Sequence, residues 1–276
     1  MPQEKLTKLL KIPIISWIIK RKLKAALGLS KAKVIISGAA ALPVELIDWF
    51  KTIGIYITNG YGMTENCCVC TNLNPYQNNG IGSVGKISSP DVNLKITDEG
   101  EICMKGPFLM DCYYKNTEMT TSTLQDGWLH TGDKGYIDDE GYLYVTGRVK
   151  DIFKTTKGKY IEPAAIESKF GNVDEFSQLC LVGLNCVQPI LLAVPTELAK
   201  NNIESTTQKI SKILNDVNHE LDNYKKISKI ILVKDDWTPE NEMTTPTLKI
   251  KRAKIDEKFS IFYKDWEKRD IDVIWE

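Results

Sequence analysis

The first 33 residues place apolar side chains at helical spacing and lysines between them, KLTKLLKIPIISWIIKRKLKAALGL, with Pro13 interrupting the run. Apolar residues three and four apart make one stripe on a helix, so the stretch predicts one or two basic amphipathic helices broken at the proline. Such a stripe packs on its own domain; the interleaved Trp17, isoleucines and lysines also suit an anionic membrane surface. From residue 34 the pattern changes. VIIS (34–37) is a short apolar strand, SGAA a small-residue turn, and PVELIDWFKT (43–52) a helix with proline in its first turn. The strand IYIT (55–58) follows, then the turn NGYG. Strand, helix, strand predicts a parallel sheet with ligands at the strand ends.

Between about residues 80 and 147 the apolar runs shorten and lie between turn signals: VNLKI, DEGEICMKG, DGWLHTGD, DDEGYLYVTG. The Asp-Glu-Gly turns at 98–100 and 139–141 predict antiparallel hairpins in a small all-β unit. After Arg148, strand-like runs (QLCLVGL, ILLAV, ISKIILV) alternate with helical ones (163–170, 206–221), which predicts a compact α+β domain. The fold class is therefore α/β plus α+β, divided as 1–33, 34–147 and 148–276.

Composition narrows the function classes. With 276 residues, 42% hydrophobic and 26% charged, the chain is globular and of about two domains, which excludes disordered, collagenous and miniprotein classes. Basic and acidic residues number 36 each, so the global balance says nothing about nucleic acid, and no nucleic-acid partner is expected from the motifs. The distribution is uneven: residues 1–33 hold nine basic residues against Glu4 alone, a net charge of +8, and the remainder carries −8. Seven cysteines, an odd count, read as reduced thiols of a cytoplasmic protein. Cys67, Cys68 and Cys70 lie close together, but no second CxxC or Cys/His pair completes a four-ligand set, and Cys103, Cys112, Cys180 and Cys186 are scattered, so no zinc site is expected. The apolar run 12–19 is far shorter than the roughly 20 residues of a membrane span.

The chemistry concentrates in NGYGMTE (59–65). Two glycines let the backbone turn and approach a ligand, Tyr61 can stack on a base, and Thr64 and Glu65 offer a hydroxyl and a carboxylate to a phosphate and its Mg2+. Taken alone, the string also fits an ordinary strand-to-loop turn. Four further motifs stand in order around it: SGAA at 37–40, GWLHTGD at 127–133, GRVKDIFKTTKGKYIEP at 147–163 and TPTLKIKR at 245–252. Together the five resemble the adenylate-forming (AMP-binding) superfamily, from residue 34 to near the end of the chain. The last two strings are most similar to those of long-chain fatty-acid CoA ligases; peptide-synthetase domains usually carry glycine where this chain has Leu248.

That resemblance implies the end of a large parallel-sheet adenylation domain, a small β-barrel-like unit and a mobile C-terminal domain. It also implies roles, residue by residue. Gly38, Ala39 and Ala40 line the adenine edge, Asn59 and Gly60 belong to the same nucleotide turn, and Tyr61 covers the adenine face. Thr64 bonds the α-phosphate and Glu65 holds Mg2+. Asp133, at the end of a β-turn in HTGD, binds both ribose hydroxyls, as a carboxylate can, and Arg148 reaches the same ribose. Lys150 is the hinge, Lys249 the catalytic lysine between the acyl carboxylate and the α-phosphate, and Gly158 lets the pantetheine arm of CoA pass. The implied partners are a fatty acid, ATP with Mg2+, and CoA, in the cytoplasm or peripherally on a membrane.

One part of the family pattern is missing. The phosphate loop TSGTTGxPKG has no counterpart; TTSTLQDGW (120–128) lacks the paired glycines and lysine and follows GYGMTE instead of preceding it. With only 33 residues before the SGAA strand, the chain is expected to be the C-terminal portion of such an enzyme, its N-terminal half absent. Two classes follow: part of a ligase, or a non-catalytic remnant that binds AMP or a membrane.

Overall fold

A computed structural model describes residues 3–39, 42–68, 70–76 and 79–276. The chain forms two compact units, Met1–Val145 and Thr146–Glu276. The first begins with helices α1 (Gln3–Leu10) and α2 (Pro13–Ala26), Pro13 serving as the first residue of α2, where a missing N–H costs nothing. Strand β1 (Ile36–Ser37), α3 (Val44–Thr52) and β2 (Thr58–Tyr61) follow, and β1 pairs with β2 in parallel. β3 (Thr71–Leu73) and β4 (Lys86–Ile87) extend that sheet antiparallel, in the order β1-β2-β3-β4.

Two expectations shift here. The strand predicted at 55–58 begins three residues later, and the NGY predicted as a turn is strand. Ile53, Ile55 and Ile57 are all buried, against Leu10, Leu23, Leu29, Trp49 and Phe50. Their alternation records burial on a core rather than a ladder, which starts only where Thr58 N–H donates to Ile35 O. The basic helices thus contribute Leu10 and Leu23 to this core. The other side of α2 leaves Ile14 74% and Trp17 61% exposed.

The second sheet of this unit contains β5 (Asn93–Ile96), β6 (Glu101–Lys105), β7 (Leu124–Gln125), β8 (Trp128–Ile137) and β9 (Leu143–Arg148), in the order β5-β6-β8-β7 with β9 also on β8. Both predicted Asp-Glu-Gly turns join neighbouring strands. The stretch is not wholly β: α4 (Thr117–Thr123) interrupts it, capped by Asn116, whose Oδ1 accepts from Met119 N–H at 3.0 Å. Ile102, Met104 and Leu143 of this sheet pack with Cys70 and Val92, and Tyr61 of the first sheet lies against them.

The second unit opens with a short hairpin, β10 (Phe153–Lys154) and β11 (Tyr160–Ile161), then α5 (Pro163–Glu167). Its main sheet takes β12 (Phe176–Val182), β13 (Ile190–Pro195), β14 (Lys229–Leu232) and β15 (Val273–Trp275) in chain order, β12 antiparallel and the others parallel. Between them run α6 (Glu197–Lys200), α7 (Ile203–Glu220), α8 (Arg252–Phe259) and α9 (Tyr263–Lys268). The strands are apolar at nearly every position because both faces are covered. Leu181, Leu191 and Ile230 pack with Ile210, Leu214 and Val217 of α7; Val182, Leu192 and Ile231 pack with Ile255, Tyr263 and Trp266 of α8 and α9.

Leu248 has φ of +62°, the left-handed region that favours glycine, and its side chain is 67% exposed. A left-handed backbone costs a residue with a Cβ about 1–2 kcal/mol, while glycine loses about 0.5–1 kcal/mol through the unfolded chain. Leu248→Gly therefore raises stability by up to about 1.5 kcal/mol, read as a higher urea midpoint at unchanged slope. A loss of stability would show that the leucine makes contacts worth more than its strain.

Candidate functional site

The end of β1 and the turn after β2 are built for close approach. A Cβ on Gly38 would stand 3.2 Å from Gly60 O, and one on Gly62 would stand 2.6 Å from the Cys68 backbone. Only glycine fits at position 62. It lets the loop fold back through a short 3-10 turn (Thr64–Asn66), with Cys67 and Cys68 both left-handed at φ +52° and +57°. Asn66, fully buried, pins this turn: its Oδ1 accepts from Met63 N–H at 2.8 Å. Thr64 is thereby held exposed and Glu65 half-buried. Glu65 Oε1 accepts from Tyr113 Oη at 2.8 Å, which leaves Oε2 for a cation. Burial, then this hydrogen bond, raises the Tyr113 pKa, so Tyr113 remains a donor. Ala39 is exposed at φ +67°; Ala40 lies outside the described residues.

Asn59 is 3% exposed. Its Nδ2 donates to Ser83 O at 2.9 Å, while Oδ1 is buried with no partner among the described residues. An unsatisfied buried carbonyl costs about 1–3 kcal/mol, so this oxygen is an acceptor waiting for a donor.

Asp133 does not end a β-turn, as the sequence predicts. HTGD lies inside the ten-residue strand β8, whose inward positions Leu129, Thr131, Asp133 and Gly135 alternate in burial. The turn-like glycine marks a bulge: β6 pairs Glu101 with Lys134 and Cys103 with His130, so β8 has two extra residues between the pairs. Gly132 adopts φ +70° there, and its N–H donates to Glu101 Oε1 at 2.8 Å. Thr131 Oγ1 donates to Ile102 O at 2.7 Å and accepts from Asp133 N–H at 3.0 Å. The bulge aims Asp133 at Tyr61, whose Oη donates to Oδ2 at 2.6 Å. Burial first, and the Asp133 carboxylate second, push the Tyr61 pKa far above the ordinary phenol range, so Tyr61 is a donor at all physiological pH. Asn59, Gly60, Tyr61 and Asp133 are thus brought together from motifs 72 residues apart.

The remaining predicted residues belong to the second unit. Arg148 and Lys150 are exposed at the start of it, Arg148 at the N-cap of the turn Val149–Asp151. Gly158 is exposed in the turn between β10 and β11, at φ +74°. Lys249 is exposed on a tight loop: its N–H donates to Thr245 Oγ1 at 3.0 Å and its carbonyl accepts from Thr245 N–H at 2.8 Å.

Sequence reasoning missed Tyr113, Asn66, Glu101 and His130. Asn66 carries no cap signature in the sequence, because Met63 is not a capping residue and the box requires Glu or Gln three residues on. Nothing in the doublet Tyr113-Tyr114 distinguishes the half-buried first ring from the second, which is 85% exposed.

Comparison with known proteins places the chain in a family. The family described as AMP-binding enzyme matches residues 7–114, and its C-terminal domain matches residues 150–262. A long-chain-fatty-acid–CoA ligase of Mycobacterium bovis is 30% identical over 268 residues, covering 90% of this chain and 44% of its own length. Long chain acyl-CoA synthetase 7, peroxisomal, of Arabidopsis thaliana is 32% identical over 87% of this chain and 39% of its own. The chain thus spans less than half the length of these relatives. Among solved structures, the O-succinylbenzoate coenzyme A synthetase of Bacillus subtilis in complex with ATP and magnesium ion matches 80% of this chain and 46% of its own, with TM-score 0.66 and 26% identity.

Proposed function

The chain belongs to the AMP-binding enzyme family, and on that premise we propose that it is the C-terminal part of a fatty-acid CoA ligase. The reaction would join a long-chain fatty acid to AMP with release of pyrophosphate, then pass the acyl group to the CoA thiol with release of AMP. The observation that carries this reading is the Tyr61–Asp133 hydrogen bond, which joins the base-facing turn to the carboxylate assigned to the ribose. A carboxylate has about four acceptor positions, so Tyr61 can fix its orientation and leave others for the two ribose hydroxyls.

The nucleotide fits what is present. Adenine offers an exocyclic amino group as a donor, and Asn59 Oδ1 is a buried acceptor without one. The base edge is assigned to the small residues Gly38, Ala39 and Ala40. Thr64 would bond the α-phosphate, and Glu65, held by Tyr113, would supply one ligand to Mg2+. That cation, when bound, screens phosphate charge against the incoming carboxylate. Arg148 is assigned to the ribose and Gly158 to the passage of CoA. Lys150 is assigned the hinge, its exposed position allowing a change in φ/ψ as the C-terminal domain, taken here as mobile, turns between half-reactions. The second sheet is read as the family's barrel-like unit.

Exchange of labelled pyrophosphate into ATP by the ligase that contains this chain tests the reading. Fatty acids are expected to support exchange; exchange with amino acids alone would move the chain to the peptide-synthetase branch. The 276-residue chain by itself, lacking the phosphate loop in its sequence, is expected to give no exchange.

A peripheral membrane role rests on α2. Exposed Ile14 and Trp17 stand beside Lys20, Arg21, Lys22 and Lys24, a composition suited to an anionic interface, where each basic residue contributes about 1 kcal/mol and salt removes it. Flotation with phosphatidylserine vesicles should show binding at low salt that fades at high salt. Absence of binding at low salt assigns α2 to packing alone.

A further inference from the structure

We propose that Glu101, Cys103 and His130 form a site for a thiophilic divalent cation of the Zn2+ type on the second sheet of the first unit. The inference stands apart from the nucleotide reading. β6 and β8 pair antiparallel with Cys103 directly opposite His130, and Glu101 lies two residues before Cys103, on the same face of β6. The strand pairing therefore places one oxygen, one sulfur and one nitrogen donor together. A ligand atom from each lies within 4.8 Å of the other two.

The geometry is close to that of a bound ion. His130 Nδ1 stands 3.5 Å from Cys103 Sγ and 2.8 Å from a Glu101 oxygen, Oε2. Zinc bond lengths of about 2.0–2.3 Å in a tetrahedron put neighbouring ligand atoms roughly 3.3–3.7 Å apart. The sulfur–nitrogen edge is already at that length, and the nitrogen–oxygen edge needs to open by only about half an ångström. The carboxylate is oriented from behind, because its other oxygen, Oε1, accepts from Gly132 N–H at 2.8 Å, the kind of outer support that metal ligands usually have. Cys103 is fully buried, whereas the side chains of His130 and Glu101 are 25% and 19% exposed, so the fourth position opens toward water through them.

Donor chemistry selects the ion. A thiolate, an imidazole and one carboxylate suit Zn2+ or Co2+, and leave Mg2+ and Ca2+, which take oxygen ligands, without a coordination shell. Binding would move protons in a defined way: the Cys103 thiol loses its proton to solvent, and the imidazole proton resides on Nε2 while Nδ1 takes the metal. Without a cation the thiol is neutral, since burial foremost and then the Glu101 charge push it up to about 11, with Lys95 acting in the opposite direction. The alternative is a hydrogen-bonded cluster that braces the bulge and binds nothing.

The test uses the reduced full chain carrying Cys67→Ser, Cys68→Ser and Cys112→Ser, which removes the exposed thiols that bind zinc adventitiously. Titration with Co2+ should give a thiolate-to-metal charge-transfer band and the strong visible bands of a tetrahedral site, saturating at one ion per chain and displaced by Zn2+ but not by Mg2+. Cys103→Ser should abolish the charge-transfer band, and His130→Asn should weaken binding by at least about tenfold. Circular dichroism confirms that each variant is folded; if Cys103→Ser is not, Glu101→Gln replaces it, with the same tenfold weakening expected. Absence of saturable Co2+ binding, or binding of equal affinity in the Cys103 and His130 variants, overturns the site.

Discussion

On the proposed function, Lys249→Ala in the ligase containing this chain is expected to slow adenylation by roughly 100- to 1,000-fold and to leave thioester formation from supplied acyl-AMP nearly unchanged. The expectation begins with charge. A carboxylate attacking a phosphate brings two anions together, and a positioned ammonium stabilises the charge that develops between them; removal of one such group costs about 2.7–4 kcal/mol. The loop geometry makes the variant interpretable. Lys249 is held through its backbone, by Thr245 Oγ1 on its N–H and by Thr245 N–H on its carbonyl. Both contacts survive truncation of an exposed side chain, so the loop keeps its shape while the ammonium is lost. Pyrophosphate exchange reads the first half-reaction and rapid mixing with acyl-AMP and CoA reads the second. Equal slowing of both would show that the lysine acts by holding structure, or that another cation meets the substrate.

Lys249 shares its solvent-exposed, flexible chemistry with many other lysines of this chain, and only its place in an ordered series of motifs selects it. Asn59 is the reverse case. Its motif was visible, but the property that makes it informative, a buried oxygen without a donor among the described residues, depends on Ser83 O taking its other end, and Ser83 is 24 residues away. Periodicity located the elements and misjudged their edges for a related reason. The alternation of Ile53, Ile55 and Ile57 reports which side faces a core, while the strand begins where a partner strand offers hydrogen bonds. In the same way Gly132 signals a left-handed backbone, which a turn and a bulge both require; only the register against β6 distinguishes them. The small domain was the most legible part, because strands covered on both faces by helices write long apolar runs that no exposed loop imitates.

The second unit also contains a buried ion pair whose loss should cost a large part of the stability. Arg252, at the start of α8, donates through Nη2 to Glu167 Oε1 at 2.8 Å, and through Nη1 to Leu181 O and to Cys180 Sγ. The same Glu167 oxygen accepts from Leu181 N–H at 2.6 Å. The two side chains are only 13% and 17% exposed, so α5, β12 and α8 are tied together at a point where water competes weakly. Glu167→Ala removes both contacts and leaves a guanidinium buried opposite a cavity. Breaking one side of a buried pair costs about 3–5 kcal/mol, far more than the pair itself is worth, because the remaining charge is uncompensated. Asp151 Oδ2, 3.7 Å from Nε, offers partial relief and places the expected loss near the lower end, about 3 kcal/mol. Replacing both partners, Glu167→Met with Arg252→Leu, removes the stranded charge and should recover most of that loss. Urea unfolding followed by the fluorescence of Trp237 and Trp266, which sit in the core beneath α8, compares the three proteins. If Glu167→Ala shifts the midpoint by less than about 1 kcal/mol, in the range of an exposed ion pair, or if the double variant is no more stable than the single one, the pair does not carry the charge balance of this core.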